Sequence, residues 1–339
     1  MKIASFCSGV GSPEVAANDL GWESVFMSEI APRASAVLAH QFPGATNLGD
    51  MKEINGYEWR GAVDLIVAGT PCQGFSAAGK RRGLRDDRSS LALKFIEHLA
   101  AIRPRWFVWE NVPNCRSTNN GRDFAAFLGC LGGRRISPPE KWGNAGIVDG
   151  YPGAYGLAWR VLDAQFFGVS QRRRRVFIVG HLGGWSSAAQ ALFEPHCGSG
   201  TAEPSAQIQS QLEAAFAEKV GAGDPRGEIL SFSANDFGND CHPVAPTLRC
   251  GGLRGSGVKP AVVTNDWIRT MTVRECERLQ GLPDDWTLVP FRGKPMSDSR
   301  RRILVGNAIA VPVIKWIFER IELVEGDATA ATNISAYGA

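Results

Sequence analysis

Short apolar runs alternate along the first half of the chain with segments whose apolar residues return at helical spacing. Lys2–Phe6, Ser24–Met27, Leu65–Ala68, Trp106–Trp109 and Val176–Val179 read as strands, with a further amphipathic strand near Trp159–Ala164. Between them Pro13–Leu20, Arg33–His40, Ser90–Ile102 and Phe124–Leu131 read as helices, and Pro13 suits a first turn, where its missing N–H is not needed. Strand–helix alternation of this kind predicts an α/β class, a doubly wound and mostly parallel sheet with helices on its faces, over residues 1–184. After Gly183-Gly184 the pattern loosens into Gly, Ser, Ala, Gln and Pro with turn signals such as Gly223-Asp224-Pro225, so 185–268 is expected to be a smaller module. Periodicity resumes at Thr272-Val273-Arg274-Glu275, which has capping-box spacing, and continues through Leu279. A last helix is expected over Val313–Leu323, which makes 269–325 a segment returning to the main domain and leaves 326–339 as a flexible tail.

With 339 residues and 44% hydrophobic content the chain can bury a large core. No apolar run approaches the roughly 18 residues of a membrane helix, and Met1–Gly9 turns to Gly and Ser before a signal core forms; a cytoplasmic protein is expected. The eight cysteines are scattered without a Cys-x-x-Cys pair, which predicts reduced thiols. His40, His98, His181, His196 and His242 share no ligand spacing, so no metal is expected even at Cys241-His242. The net charge of +3 does not by itself indicate a polyanion partner. Local clusters at Lys80-Arg81-Arg82-Gly83-Leu84-Arg85 and Arg172–Arg175, and Arg249, Arg254 and Lys259 in a Gly-rich stretch, leave that partner open.

The chemistry-bearing residues follow the strands. Ser8-Gly9-Val10-Gly11 stands between the first strand and the first helix, where glycines let a backbone approach a nucleotide-like ligand; a structural turn explains it equally well. Glu29, at the end of the next strand, suits ribose hydroxyls, and Asp50 is a third candidate, although either acid also reads as a surface charge or cap. Gly69-Thr70-Pro71-Cys72-Gln73-Gly74-Phe75-Ser76 sets a cysteine in a loop at the carboxyl edge of the sheet, where amides can stabilise a thiolate. Trp106–Val112 brings Glu110 to the end of another strand, so Cys72 and Glu110 are expected to face one pocket. The tryptophans, Trp106 and Trp109 included, read as core.

These blocks closely resemble the cytosine-C5 DNA methyltransferase family, in the family's order and along most of the chain. The blocks are Ser8–Gly11, Glu29, Asp50, Pro71-Cys72-Gln73, Glu110-Asn111-Val112, Gln171–Arg175, Arg274-Glu275-Cys276, Leu279–Pro283 and Gly306-Asn307-Ala308. The resemblance implies a Rossmann-like, S-adenosylmethionine-dependent fold of the bacterial or phage type, with a single target-recognition domain in 185–268. The implied substrate is double-stranded DNA, and the implied state is a monomer. It implies Cys72 as the nucleophile at cytosine C6, Glu110 as the group at N3, and Arg175 with Arg173 at O2 and beside the carboxylate. S-adenosylmethionine is implied at Gly9, Val10, Gly11, Glu29, Ile30, Asp50, Met51, Gly69, Pro71, Leu91, Asn307 and Ala308. Lys80, Arg81, Arg82 and Arg85 form a basic loop expected to close on phosphates around a flipped base. Thr247 and Leu248 match the family's short Thr-Leu signature, and Arg249 and Arg254 are expected to contact DNA. Three positions depart: Cys7 stands where the family commonly has a Phe against the adenine, Ser12 replaces a common Gly, and Arg174 a frequent Glu.

Three other readings use the same features. An RNA cytosine methyltransferase shares the core but differs after the Pro-Cys pair. A silent DNA-binding relative leaves Cys72, Glu110 and Arg175 without work, and a nicotinamide oxidoreductase explains the glycine loop and Glu29 but not the Pro-Cys-Gln loop or the arginine strip.

Overall fold

Leu65–Ala68 are apolar without a break, and all four side chains are buried because helices cover both faces of the sheet they belong to. The structure is a computed structural model that describes residues 1–71, 89–194, 230–233, 245, 248, 260–263 and 268–336. Its first part runs β1 (Lys2–Phe6), α1 (Ser12–Asp19), β2 (Glu23–Ser28), α2 (Pro32–Gln41), β3 (Thr46–Asn47), β4 (Leu65–Ala68) and α3 (Ser89–Ile102). It continues through β5 (Trp106–Asn111), α4 (Arg122–Gly132), β6 (Ala145–Val148), β7 (Gly156–Asp163), β8 (Arg174–His181) and α5 (Trp185–Leu192). The expected strands and helices are all present, within a few residues at their ends.

The eight strands lie in the order β3-β2-β1-β4-β5-β8-β7-β6. From β3 to β5 all pairs are parallel; β5–β8, β8–β7 and β7–β6 are antiparallel. Strand residues alternate between two cores, as the two-residue period of a strand requires. On one face Ile3, Val67, Trp106, Val108 and Phe177 join Ala16 and Ala17 of α1. On the other Phe6, Ile66, Phe107, Trp109 and Ile178 join Phe95 of α3 and Phe124 of α4.

Beyond α5 the described backbone includes a three-stranded antiparallel sheet of β9 (Leu230–Ser233), β10 (Pro260–Val263) and β11 (Ile268–Thr270). Then come α6 (Val273–Leu279), a small hairpin of β12 (Pro290–Phe291) and β13 (Lys294–Pro295), α7 (Asp298–Asn307) and α8 (Val311–Ala336). The expected capping box opens α6: Glu275 N donates to Thr272 Oγ1 at 3.2 Å, and Thr272 N to Glu275 Oε2 at 2.7 Å. Ile314, Ile317, Phe318 and Ile321 of α8 return to the core that holds α1.

Helices stand at two of the expected boundaries. The sequence pattern starts the small module at residue 185, but Ala188, Ala191 and Leu192 of α5 are buried against the main sheet, an apolar stripe that the Ser- and Ala-rich texture conceals. The tail expected from 326 is helical in its backbone to Ala336, since an alanine-bearing stretch extends a helix whose nucleation cost is already met by the packed part of α8. The pattern does not predict β3 and β6; they are short edge strands, one of two polar residues and one of four non-polar ones, without the alternation that marks a half-buried strand.

Candidate active site

Going along the sheet, β1 is flanked by β2 on one side and β4 on the other, so the connections leaving β1 and β4 part and open a crevice at their carboxyl ends. The loop after β1 turns sharply there: Cys7, Gly9 and Gly11 all have left-handed backbone, at φ +54°, +58° and +83°. Gly11 is dictated twice, by that φ and because a Cβ would collide with the Phe42 ring. Glu29 braces the loop from the end of β2, accepting from Gly9 N at 2.8 Å and from Ala31 N at 2.7 Å. Each carboxylate oxygen retains acceptor capacity for a ligand hydroxyl.

A small cavity, open to solvent, lies at this crevice. Of the residues expected at a cofactor, Gly9, Gly69, Asn307 and Ala308 line it, together with Cys7, Ser12 and Glu110. Val10 is buried in the core beneath the loop, Ile30 is 66% exposed just beyond β2, and Pro71 is exposed. Asp50 Oδ1 accepts from Lys52 N at 2.9 Å. Met51 is buried, and its carbonyl accepts from His98 Nε2 at 2.7 Å; burial lowers the pKa of that histidine. Leu91 packs against the core on the other face of the sheet. Burial, with Glu29 and Asp50 nearby, pushes the Cys7 thiol up to about 12, which keeps it protonated and a poor nucleophile.

Glu110 stands at the end of β5 and is nearly buried. In the β5–β8 register it faces Phe177, which places Arg175 diagonally across on the same face. Arg175 Nε lies 3.1 Å from Glu110 Oε1. Burial raises the Glu110 pKa; Arg175 and Arg173 oppose that rise. Arg173 also carries a structural tie. Its guanidinium is buried and donates to the carbonyls of Ala308 at 2.7 Å, Gly306 at 3.1 Å and Leu248 at 3.4 Å, so it ties the end of α7 to β8.

The structure also shows supports that sequence reading missed. Trp109, read as core, is fully buried, but its indole N–H also donates to Thr70 Oγ1 at 2.9 Å, and Asn111 Nδ2 donates to the Thr70 carbonyl at 2.9 Å. Two side chains of β5 thus fix the residue from which Pro71 and Cys72 leave the sheet. Gln171 donates from Nε2 to Leu279 O at 2.9 Å and accepts from Leu248 N at 3.3 Å. Leu248, expected at the DNA by its motif, has its side chain buried with Ala245, Met271, Val273 and Leu279 in a small apolar cluster. Polar groups in apolar strands and a Thr next to a Pro are the signals that hinted at these roles. Cys72, Lys80, Arg81, Arg82, Arg85, Thr247, Arg249 and Arg254 lie outside the described residues. Among the described residues there is no cluster of three or more His, Cys, Asp or Glu able to hold a metal, and no helix long and apolar enough to cross a membrane.

A doubly wound sheet with a glycine loop, an acid after β2 and a paired Glu–Arg at the carboxyl edge defines the methyltransferase class, and comparison agrees. S. pombe Dnmt2 methyltransferase shares the fold, with a TM-score of 0.65 at 17% identity over 96% of this chain and 99% of that one. The model of the C-5 cytosine-specific DNA methylases matches residues 1–132, 150–219 and 225–323, and the chain belongs to that family. The Type II methyltransferase M2.BsuMI of Bacillus subtilis is 31% identical over 96% of this chain and 76% of its own length. A protein of Escherichia phage P1 named DNA N-6-adenine-methyltransferase is 29% identical over 94% of this chain, which spans 60% of that protein.

Proposed function

We propose that this protein is a DNA (cytosine-5-)-methyltransferase that transfers a methyl group from S-adenosylmethionine to a cytosine turned out of a short, specific duplex site. The observation that carries the reading is the pairing of buried Glu110 with Arg175 beside the glycine-loop cavity. The residues at the crevice fit the cofactor: a left-handed glycine turn lines the cavity, and Glu29, which braces that turn, has acceptor capacity left for ribose hydroxyls. Gly9, Glu29, Asp50, Asn307 and Ala308 would hold it, with exposed Ile30 offering apolar surface. When bound, it supplies an electrophilic methyl group on a sulfonium.

Cytosine C5 is a poor nucleophile until a thiolate adds to C6, the role proposed for Cys72. Glu110, which burial favours in its protonated form, is suited to give a proton to N3 so that the ring can accept the added electron pair. Arg175 pairs with that carboxyl, and its guanidinium is proposed to hold the base oxygen. Loss of the C5 proton then expels the thiolate and restores the aromatic ring. Transfer to adenine N6, the reaction in the phage P1 protein's name, needs no such addition to a ring, so the Glu–Arg pair favours cytosine. The recognition module is proposed to begin after α5, and Lys80, Arg81, Arg82 and Arg85 to contact phosphates; a cytoplasmic monomer suits this activity.

The test treats a duplex library with purified protein and S-adenosylmethionine, beside Cys72→Ala, and reads cytosine methylation by bisulfite-type sequencing. Protection of cytosines in one short motif, absent in the variant, is the expected result. Methylation of adenine, or of RNA alone, would overturn it.

A further inference from the structure

Strand alternation divides the arginines at the start of β8. Arg175 turns to Glu110, whereas Arg174 shares its face with Val176, which is buried on the other side of the sheet in the core that holds Trp159 of β7. A second cation lies over Trp159: the Arg116 guanidinium stands 5.8 Å from the centre of that ring. Burial lowers the Arg116 pKa, and against the opposing pull of Cys115 the Arg174 charge lowers it further, so the two guanidiniums repel each other.

Neither charge meets a carboxylate among the described residues. Arg116 donates from Nε to the Pro113 carbonyl at 3.2 Å and from Nη1 to the Gly143 carbonyl, which fixes the guanidinium and leaves Nη2 without a partner among the described residues. Arg174 is exposed, and its side chain has no hydrogen bond or ion pair among the described residues. The acid opposite it in the β7–β8 register, Asp163, accepts instead from Arg173 N at 2.8 Å and from Gln165 Nε2 at 2.9 Å. Two uncompensated guanidiniums on one face suit an anion rich in acceptor oxygens. A base held at Glu110 and Arg175 stays joined to its own phosphates, and Arg174 is the residue next to Arg175. We propose that Arg174 and Arg116 bind backbone phosphates of the DNA beside the flipped cytosine, on the sheet face opposite the Glu110–Arg175 pair. This rests on the function proposed above.

The experiment follows, by fluorescence anisotropy, the salt dependence with which the full chain binds a labelled duplex carrying the motif found by sequencing. Arg174→Gln and Arg116→Gln should each flatten the slope of log K against log salt by about 0.9 for the phosphate no longer neutralised. Arg174→Lys keeps the charge and should keep the wild-type slope. Binding of S-adenosylhomocysteine should be unchanged in every variant, because neither arginine lines the cavity. With neutral methylphosphonates on both sides of the target cytosine, Arg174→Gln and wild type should bind alike. Arg174 has no structural tie among the described residues and decides the question if Arg116→Gln does not fold. An Arg174→Gln slope equal to that of wild type, a difference that persists on the methylphosphonate duplex, or an equal loss of S-adenosylhomocysteine binding overturns the proposal while leaving the function reading intact. Wild-type protein that neither methylates nor binds duplex DNA overturns both.

Discussion

Glu14 lies in the first turn of α1, completely buried beneath the glycine loop. One carboxyl oxygen shares a hydrogen bond with Ser5 Oγ, and the other has no partner among the described residues. Ser5 Oγ is also 2.6 Å from Ser8 Oγ, so the two hydroxyls and the carboxyl form one buried hydrogen-bonded chain. Burial accordingly raises the pKa from 4.5 to about 7, against the opposing pull of Ser5 and its own amide. An acid raised in the folded state binds more protons folded than unfolded, so its stabilisation is complete below about 4.5 and is lost as pH rises through about 7. The span from 4.5 to about 7, at about 1.4 kcal/mol per pH unit, is worth roughly 3 kcal/mol. Glu14→Gln keeps the shape, can bond Ser5 either way and does not titrate. Urea unfolding at pH 5, 6, 7 and 8 should show the variant gaining up to roughly 3 kcal/mol on the wild type across that range. Parallel stability curves would refute a neutral buried acid at this position.

Glu110→Gln should slow methyl transfer by roughly a hundredfold or more while cofactor titration stays normal, as expected for a proton donor. It should also remove the fall in wild-type activity as pH rises through the elevated Glu110 pKa, checked in single-turnover assays. Arg173→Ala leaves the carbonyls of Gly306, Ala308 and Leu248 without that donor and should cost about 3 kcal/mol or more in thermal unfolding, whereas Arg175→Ala should lower activity with a smaller stability change. Replacing Lys80, Arg81 and Arg82 together by Ala should weaken DNA binding and flatten its salt dependence by about 0.9 for each phosphate no longer neutralised; an unchanged slope would remove the loop from the phosphates.

Local pattern along the chain was enough for the repeating core and the inventory of chemistry. Leu65–Ala68 and Trp106–Trp109 are apolar without interruption because both sheet faces are covered, and Gly9 and Gly11 mark a turn that only a left-handed backbone completes. Those signals are local, carried by residues one to four positions apart. Tertiary structure decided the rest. Arg173 and Arg175 stand two positions apart at the start of β8, yet the β5–β8 register brings Arg175 to Glu110 while the end of α7 draws Arg173 to its carbonyls. Leu248 carries a recognition-motif residue but is buried by α6 and α7, and Trp109, apolar in any sequence pattern, finds its polar partner in Thr70 only because β4 and β5 run side by side. Each outcome depends on which distant segments pair, and a strand's own sequence specifies its faces without specifying its neighbours.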